Sequence, residues 1–432
     1  MSIAWRIRSA DIERHSPRDW EVRRIGDLVD LANGYPFPSD SFGPTGEMPL
    51  VRIRELVTHV EDFSTYVSGY IPRECILEDG DIVVGMDGDF NVVRWVRGTA
   101  ALNQRLCRLR PRTGVDIRFI GYALPPILSI INDLTFSTTV KHLSSSDILT
   151  ERLPLPPIAE QHRIADFLDA ETSRIDALVA IQHQTKTILL ERRAAKVFRA
   201  VTGGDATGRK ESELSWVDSL PMEWKGVKLG HFARMGSGHT PSRSHPEWWE
   251  DCTIPWITTG EVSQVRDDRL EVLTETRECI SEIGMANSAA ELHPKGTVVL
   301  CRTASAGYSA VMGEDMATSQ DFATWTCGPQ LDPFFLLWCL RAMRSDLLGR
   351  LAMGSTHKTI YMPDLQALRV PLPPLGEQGQ IVESIHASNA AIDVAIDTID
   401  RQIALLAERR QALITAAVTG QIDASTVQGV AI

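Results

Sequence analysis

The 432-residue sequence predicts an α+β protein: two similar, mostly-β globular domains, separated by two long helices that pair as an antiparallel coiled coil in a pseudo-two-fold arrangement. Three observations predict it. The stretch LPLPPIAEQ at 153–161 returns as VPLPPLGEQ at 370–378, a displacement of 217 positions. Behind each copy the match runs ungapped through Ile175-Asp176 against Ile392-Asp393 and Glu191-Arg192-Arg193 against Glu408-Arg409-Arg410, ending at Val201-Thr202-Gly203 against Val418-Thr419-Gly420. The segments between the helices echo one another as well, in the same order but with drifting spacing. An ungapped repeat of about fifty residues belongs to a rigid element, because loops accept insertions and long packed helices do not.

The helices follow from their periodicity. In the second copy Ile385, Ile392, Ile399, Leu406 and Leu413 recur every seven residues, with Ile396 and Ile403 in between, which is a coiled-coil seam. The first copy keeps the seam at Leu168, Ile175, Val179 and Leu189. It places Gln182, Lys186, Arg193 and Lys196 at matching positions, where polar groups fix register at a cost in stability. Paired prolines at 156–157 and 373–374 end a strand and precede a helix, and Gly203 and Gly420 stop it. Each helix should run about 40 residues, or about 60 Å at 1.5 Å per residue. Each helix packing on its own domain is the alternative; equal length and pattern favour pairing with each other.

The globular segments are justified by their matches. Trp20 and Ile25-Gly26 align with Trp224 and Leu229-Gly230, Gly34 with Gly238, and PLVRIRE at 49–55 with PWITTGE at 255–261. GDIVV at 80–84 matches GTVVL at 296–300, ALNQ at 101–104 matches ATSQ at 317–320, and VKHLSSSD at 140–147 matches HKTIYMPD at 357–364. Strand-like runs (DIVVGM, RLCRLR, TVVLC, ATWTC) alternate with Gly/Pro/Ser-rich turns, with helical patches near FIGYALPPILSIIND and PFFLLWCLRAMRSDLLGR. The boundaries are therefore a first domain at 1–151, a helix at 152–203, a linker and second domain at 204–368, a helix at 369–420 and a tail at 421–432.

Composition narrows function. With 44 Lys+Arg against 56 Asp+Glu the net charge is −12, so nucleic acid cannot be held by bulk electrostatics and any contact must be local. Residues 1–150 carry 17 basic and 20 acidic side chains, residues 211–368 carry 13 and 21, and 16 of the first 17 are arginine. The run Arg105, Arg108, Arg110, Arg112 reads as a solvated strand face or a ligand contact. Seven scattered cysteines without CxxC or Cys/His clustering give no metal site and no disulfide framework, and no long apolar stretch or signal-peptide core is present, so the cytosol is the expected compartment. GGDATGRK at 203–210 carries Arg209 where a phosphate-binding loop needs lysine, and MGSGHT at 235–240 lacks a third glycine. With no Asn/Asp-Pro-Pro-aromatic, HExxH or GxSxG motif, the chain reads as a recognition and assembly protein, not an enzyme.

The doubled PLPPxxEQ phrase entering a helix that ends in ERR and VTG, with Ser212, Trp216, Leu220-Pro221 and Trp224 opening the second globular half, resembles the specificity subunit of type I restriction-modification systems over nearly the whole chain. The resemblance implies two target recognition domains reading the halves of a split, asymmetric duplex DNA target. It further implies helices that bind two modification (methyltransferase) subunits, with a restriction subunit left open. S-adenosylmethionine and ATP would belong to those partners, with no cofactor or metal in this chain. A stand-alone DNA-binding regulator and a coiled-coil adaptor remain the competing readings.

Candidate DNA contacts are polar donors in aligned loops: Arg52 and Arg54 with Thr258 and Thr259, Arg94, Arg302 and Ser305, and Lys141 and His142 with His357 and Lys358. Gln104 and Gln320 read as structural hydrogen-bonders, and Trp248 and Trp249 as packing residues. Candidate partner contacts are Glu191, Arg192, Arg193, Glu408, Arg409 and Arg410, which otherwise form a solvated helix face.

Overall fold

The computed structural model describes residue 17 and residues 20–57, 63–134, 141–352 and 358–422. The chain divides into two compact units, residues 1–181 with 402–432 and residues 182–401. Each unit therefore takes one globular segment and a length of both long helices.

In the first unit a four-stranded sheet runs in the order Val29–Asn33, Leu106–Pro111, Ile82–Gly85, Val92–Arg94, all neighbours antiparallel. A five-stranded sheet holds Met48–Val51 between Tyr66–Val67, which is antiparallel, and Ala100–Leu102, which is parallel. Ile82, Val84 and Leu109 face the helix Ile117–Leu134 and share its core with Phe119, Ile120 and Leu124. The second unit repeats the plan: Ala233–Ser237, Phe322–Cys327, Val298–Cys301 and Ser309–Met312 keep the same order. Ile254–Ile257 again lies between an antiparallel strand, Glu278–Ile280, and a parallel one, Ala317–Thr318. Its covering helix is Pro333–Ala342, capped by Asp332, which accepts from the backbone of Phe334 and Phe335. All four strand-like runs read from sequence are strands, and both apolar patches are helical.

The two long helices are Ile158–Val201 and Leu375–Val418, each of 44 residues, or about 66 Å of axis at 1.5 Å per residue. Within each unit the two helices pair antiparallel. In the first, Arg410 Nε donates to Asp176 Oδ1 at 3.2 Å. In the second, Lys186 Nζ meets Asp400 Oδ1 at 2.6 Å, Arg193 Nη1 meets Asp393 Oδ1 at 3.0 Å, and Lys196 Nζ meets Ser388 Oγ at 3.1 Å. As numbers rise on one helix they fall on the other. Of the expected seam, Leu168, Ile175, Ile385, Ile392, Ile396 and Ile399 are buried, while Val179, Leu189, Ile403 and Leu406 are half-buried.

The doubled phrase has a mechanical reason in each unit. Trp20 Nε1 donates to Glu160 Oε2 at 3.3 Å, and Trp224 Nε1 donates to Glu377 Oε2 at 3.1 Å. The buried Gln161 accepts from the Asp116 backbone N–H and donates to Pro156 O; Gln378 accepts from Asp332 N–H and donates to Pro373 O and Gln330 O. The Glu-Gln pair thus ties the start of a helix to a tryptophan near the start of a globular segment and to the start of its covering helix. Short strands reinforce the joint: Glu21–Arg24 pairs with Arg152–Leu155, and Lys225–Lys228 with Arg369–Leu372. At the far end of each long helix Gly203 (φ +62) and Gly420 (φ +73) turn left-handed. A Cβ there would stand 2.3 Å from Pro221 Cγ and 2.2 Å from Pro17 Cδ, so only glycine lets the helix end close under Trp224 or Trp20.

Candidate nucleic-acid interface

Several sequence candidates are engaged by partners within the fold. Arg52 donates to both Glu55 oxygens and to Thr65 Oγ1, and Arg54 to Glu55 Oε1 and Ser64 Oγ. Glu55 accepts the Arg52 backbone N–H at 3.0 Å, so these two arginines hold a helix start. Burial pushes the Glu55 carboxyl up, but the hydrogen bonds from Arg52 and Arg54 outweigh it and hold the group below its usual range. Thr258 occupies the same place in the second unit, capping Thr259–Glu261 in a reciprocal box with Glu261, so its hydroxyl is committed as well. Arg94 pairs with Asp169 on the first long helix at 3.4 Å. Two of the arginine run turn inward, Arg108 being buried and donating to Glu74 O and Arg110 gripping Asp81. Arg112 meets Asp30 at the surface, and the Arg105 side chain is 56% exposed.

The remaining candidates converge at one corner of each unit. In the first, Met86 N–H donates to Arg105 O, Leu143 N–H to Met86 O and Gly88 N–H to Lys141 O, and Asp87 bridges His142. His142 Nδ1 lies 2.7 Å from Asp87 Oδ1, so the nitrogen donates, and Arg105 Nη1 lies 3.7 Å from the same oxygen. Lys141 Nζ donates to Asn132 O at 2.6 Å. In the second unit Arg302 N–H donates to Asp321 O, Ile360 N–H to Arg302 O and Ala304 N–H to Lys358 O, and Thr303 bridges Thr359. Gly88 (φ +77) and Ala304 (φ +58) are both left-handed. Arg302 Nε is buried without a hydrogen-bond partner, and Ser305 follows in the same loop. His357 lies outside the described residues.

Sequence reasoning gathered Lys141, His142, Arg302, Ser305 and Lys358 but missed Asp87, Thr303, Thr359 and Asp321 beside them. The signal was present in the register of VKHLSSSD against HKTIYMPD, which places Lys141 on Lys358 and His142 on Thr359. Gln320 Oε1 accepts from Thr240 Oγ1 at 2.6 Å. Trp248 stacks on His245 at 4.2 Å and Trp249 packs edge-on to Trp256 under Arg243.

On the helices Glu191, Arg192, Glu408 and Arg409 are exposed. Arg193 departs from the docking face expected of it: it is buried, bonded to Asp393 and to the carbonyls of Asp267 and Asp268. Arg410 pairs with Asp176 of the opposite helix at the surface. Among the described residues no group of three or more His, Cys, Asp or Glu is placed to hold a metal ion, and no helix is long and apolar enough to cross a membrane. All seven cysteines are free, and burial pushes the thiols of Cys107 and Cys301 up to about 12 and about 11, which leaves them unreactive.

Residues 17–189 and 221–405 match the model of the type I restriction modification DNA specificity domain. The chain is 28% identical over 417 residues to the type I restriction enzyme EcoBI specificity subunit of Escherichia coli, covering 94% of this chain and 86% of that one. It is 20% identical to the type I restriction enzyme MjaIX specificity subunit of Methanocaldococcus jannaschii, covering 94% of each. A solved chain described under complex assembly and conformational transition of the type I R-M system superimposes with a TM-score of 0.70 at 18% identity, covering 94% of this chain and 99% of that one.

Proposed function

Because the chain belongs to the type I restriction modification DNA specificity family, we propose that it is the non-catalytic subunit that chooses the DNA target, one half-site per unit. The observation that carries this reading is the doubled unit itself: one backbone plan, one joint to the long helices, and two corners with different side chains. Two copies of one reader with unlike surfaces fit a target whose two halves differ, separated by unread base pairs whose number depends on the rigid helices. The net charge of −12 means that recognition rests on local contacts, with partner subunits adding affinity.

The exposed Glu191, Arg192, Glu408 and Arg409 lie on the repeated helix ends and form two equivalent docking patches, one for each of two modification subunits. Those subunits bring S-adenosylmethionine and flip the target adenine, and ATP would belong to a restriction subunit where one joins the complex. The test is co-expression with modification subunits followed by mapping of methylated bases. The expected result is a bipartite target whose two halves differ. A complex that methylates without sequence preference would return the chain to the adaptor reading, and tight split-site binding by the chain alone would make it a stand-alone regulator.

A further inference from the structure

The internal repeat permits a comparison that a single reader does not: positions that keep their backbone bonds can be sorted by whether they keep their side chains. At the two corners three hydrogen bonds and one bridge are the same. Met86, Asp87, Gly88, Arg105, Lys141 and His142 stand where Arg302, Thr303, Ala304, Asp321, Lys358 and Thr359 stand in the second unit. One functional side chain is retained, the ammonium of Lys141 and Lys358. The others are exchanged. The first corner carries its guanidinium at Arg105 and its carboxylate at Asp87. The second carries its guanidinium at Arg302, on the strand neighbouring the Arg105 position, and its carboxylate at Asp321, in the Arg105 position itself.

Contacts to the phosphate backbone carry no sequence information, whereas contacts to base edges do. A side chain kept while its surroundings change suits the first role, and a guanidinium moved between strands of one scaffold suits the second. Arginine's planar fork meets the O6 and N7 acceptors of guanine in the major groove. Arg105 is half exposed on a left-handed backbone (φ +70) that fixes its direction, and Arg302 is half-buried in the matching corner, with its Nε buried and unpartnered beneath the terminal amino groups.

Resting on the proposed reading of split DNA, we propose that Lys141 and Lys358 are equivalent phosphate anchors and that Arg105 and Arg302 each read a guanine edge, one in each half-site. His142, held by Asp87, and the hydroxyls of Thr303 and Thr359 flank those guanidinium groups and supply the remaining discrimination.

The experiment uses the full chain assembled with modification subunits and a random-sequence duplex library. Arg105→Ala should abolish preference at one G·C pair of one half-site, by about tenfold or more, and leave the other half-site unchanged. Arg302→Ala should do the same in the opposite half. Arg105→Lys keeps the charge without the fork, so it should lose the preference and keep the salt dependence. Lys141→Ala and Lys358→Ala should weaken every duplex alike and lower the slope of log affinity against log salt by about one each, with the selected sequence unchanged. Continued selection of the untouched half-site reports that each variant is folded. Uniform weakening by Arg105→Ala or Arg302→Ala, or a changed base preference in Lys141→Ala, would overturn the assignment. A wild-type complex that selects no split site would instead overturn the reading on which it rests.

Discussion

Arg193 and Arg410 are the same residue of the helix repeat, and each meets the repeat's aspartate on the opposite helix, Asp393 or Asp176. Their surroundings differ. The Arg193 side chain is 8% exposed, roofed by the backbone of Asp267 and Asp268, while that of Arg410 is 40% exposed. One covalent pattern thus yields a buried lock in one unit and a surface ion pair in the other, and the difference comes from the globular segment. Around the buried lock Arg269 adds contacts to Asp393 and Asp397, and Asp268 binds Arg344 and Arg341. The first unit fastens its globular segment elsewhere, through Arg118 on Asp166 and Asp169 and Tyr122 on Asp169. The joint is repeated, and the fastening is local invention.

The two units should diverge most in stability at that arginine. Arg193→Ala removes a buried guanidinium together with its bonds to Asp393 and to the carbonyls of Asp267 and Asp268, with Arg269 still holding Asp393, and should cost about 2 kcal/mol or more, whereas Arg410→Ala, at an exposed pair, should cost about 0.5 kcal/mol. Denaturant unfolding of the two variants measures the gap. At the joint the units should behave alike instead: Gln161→Ala and Gln378→Ala each leave a buried backbone amide unbonded and should each cost about 2 kcal/mol. Hydrogen exchange at Asp116 and Asp332 would accelerate in the corresponding variant only.

Much of this was legible in the sequence because the helices cannot tolerate insertion, so the repeat stays in phase and shows its heptads, its prolines and its terminal glycines. The strands were legible for a related reason, since buried runs such as DIVVG and TVVLC sit on both faces against apolar neighbours. The site was harder to read. Arg52, Arg54 and Thr258 look like surface donors in one dimension, yet Glu55 and Glu261 three residues on engage Arg52 and Thr258 in helix capping, and only the fold reveals that their hydrogen bonds are spent. Arg193 misled similarly: an arginine in ERR reads as a solvated face until a loop 74 residues further on closes over it.

Thr172 and Asn389 occupy equivalent seam positions, but Thr172 bonds Leu168 O and Tyr122 Oη while both polar atoms of the buried Asn389 lack partners. Asn389→Leu should therefore raise the melting temperature, by about 1 kcal/mol of added stability, and Thr172→Leu should lower it.

His293, fully enclosed in the second unit, stands where Leu77 stands in the first. Burial holds its imidazole below the ordinary 6.5, the nearby Glu291 only partly opposing. The unfolded chain takes up a proton that the folded one refuses, so this contribution is whole above pH 6.5 and is lost as pH falls from there through the lowered value. Acid unfolding should begin in the second unit, and His293→Leu should flatten that pH dependence.

Least of all, Ala304→Gly should stabilise by about 0.5–1 kcal/mol and Gly88→Ala should destabilise by a similar amount, because both positions hold a left-handed φ.

The proposed function requires two readers of one plan that read different bases. Its most direct measurement is the base sequence methylated by the complete complex in a genome-wide map. Two unlike half-sites separated by a gap of constant length and random sequence is the result it predicts. A single uninterrupted site, or a palindrome with identical halves, would contradict it.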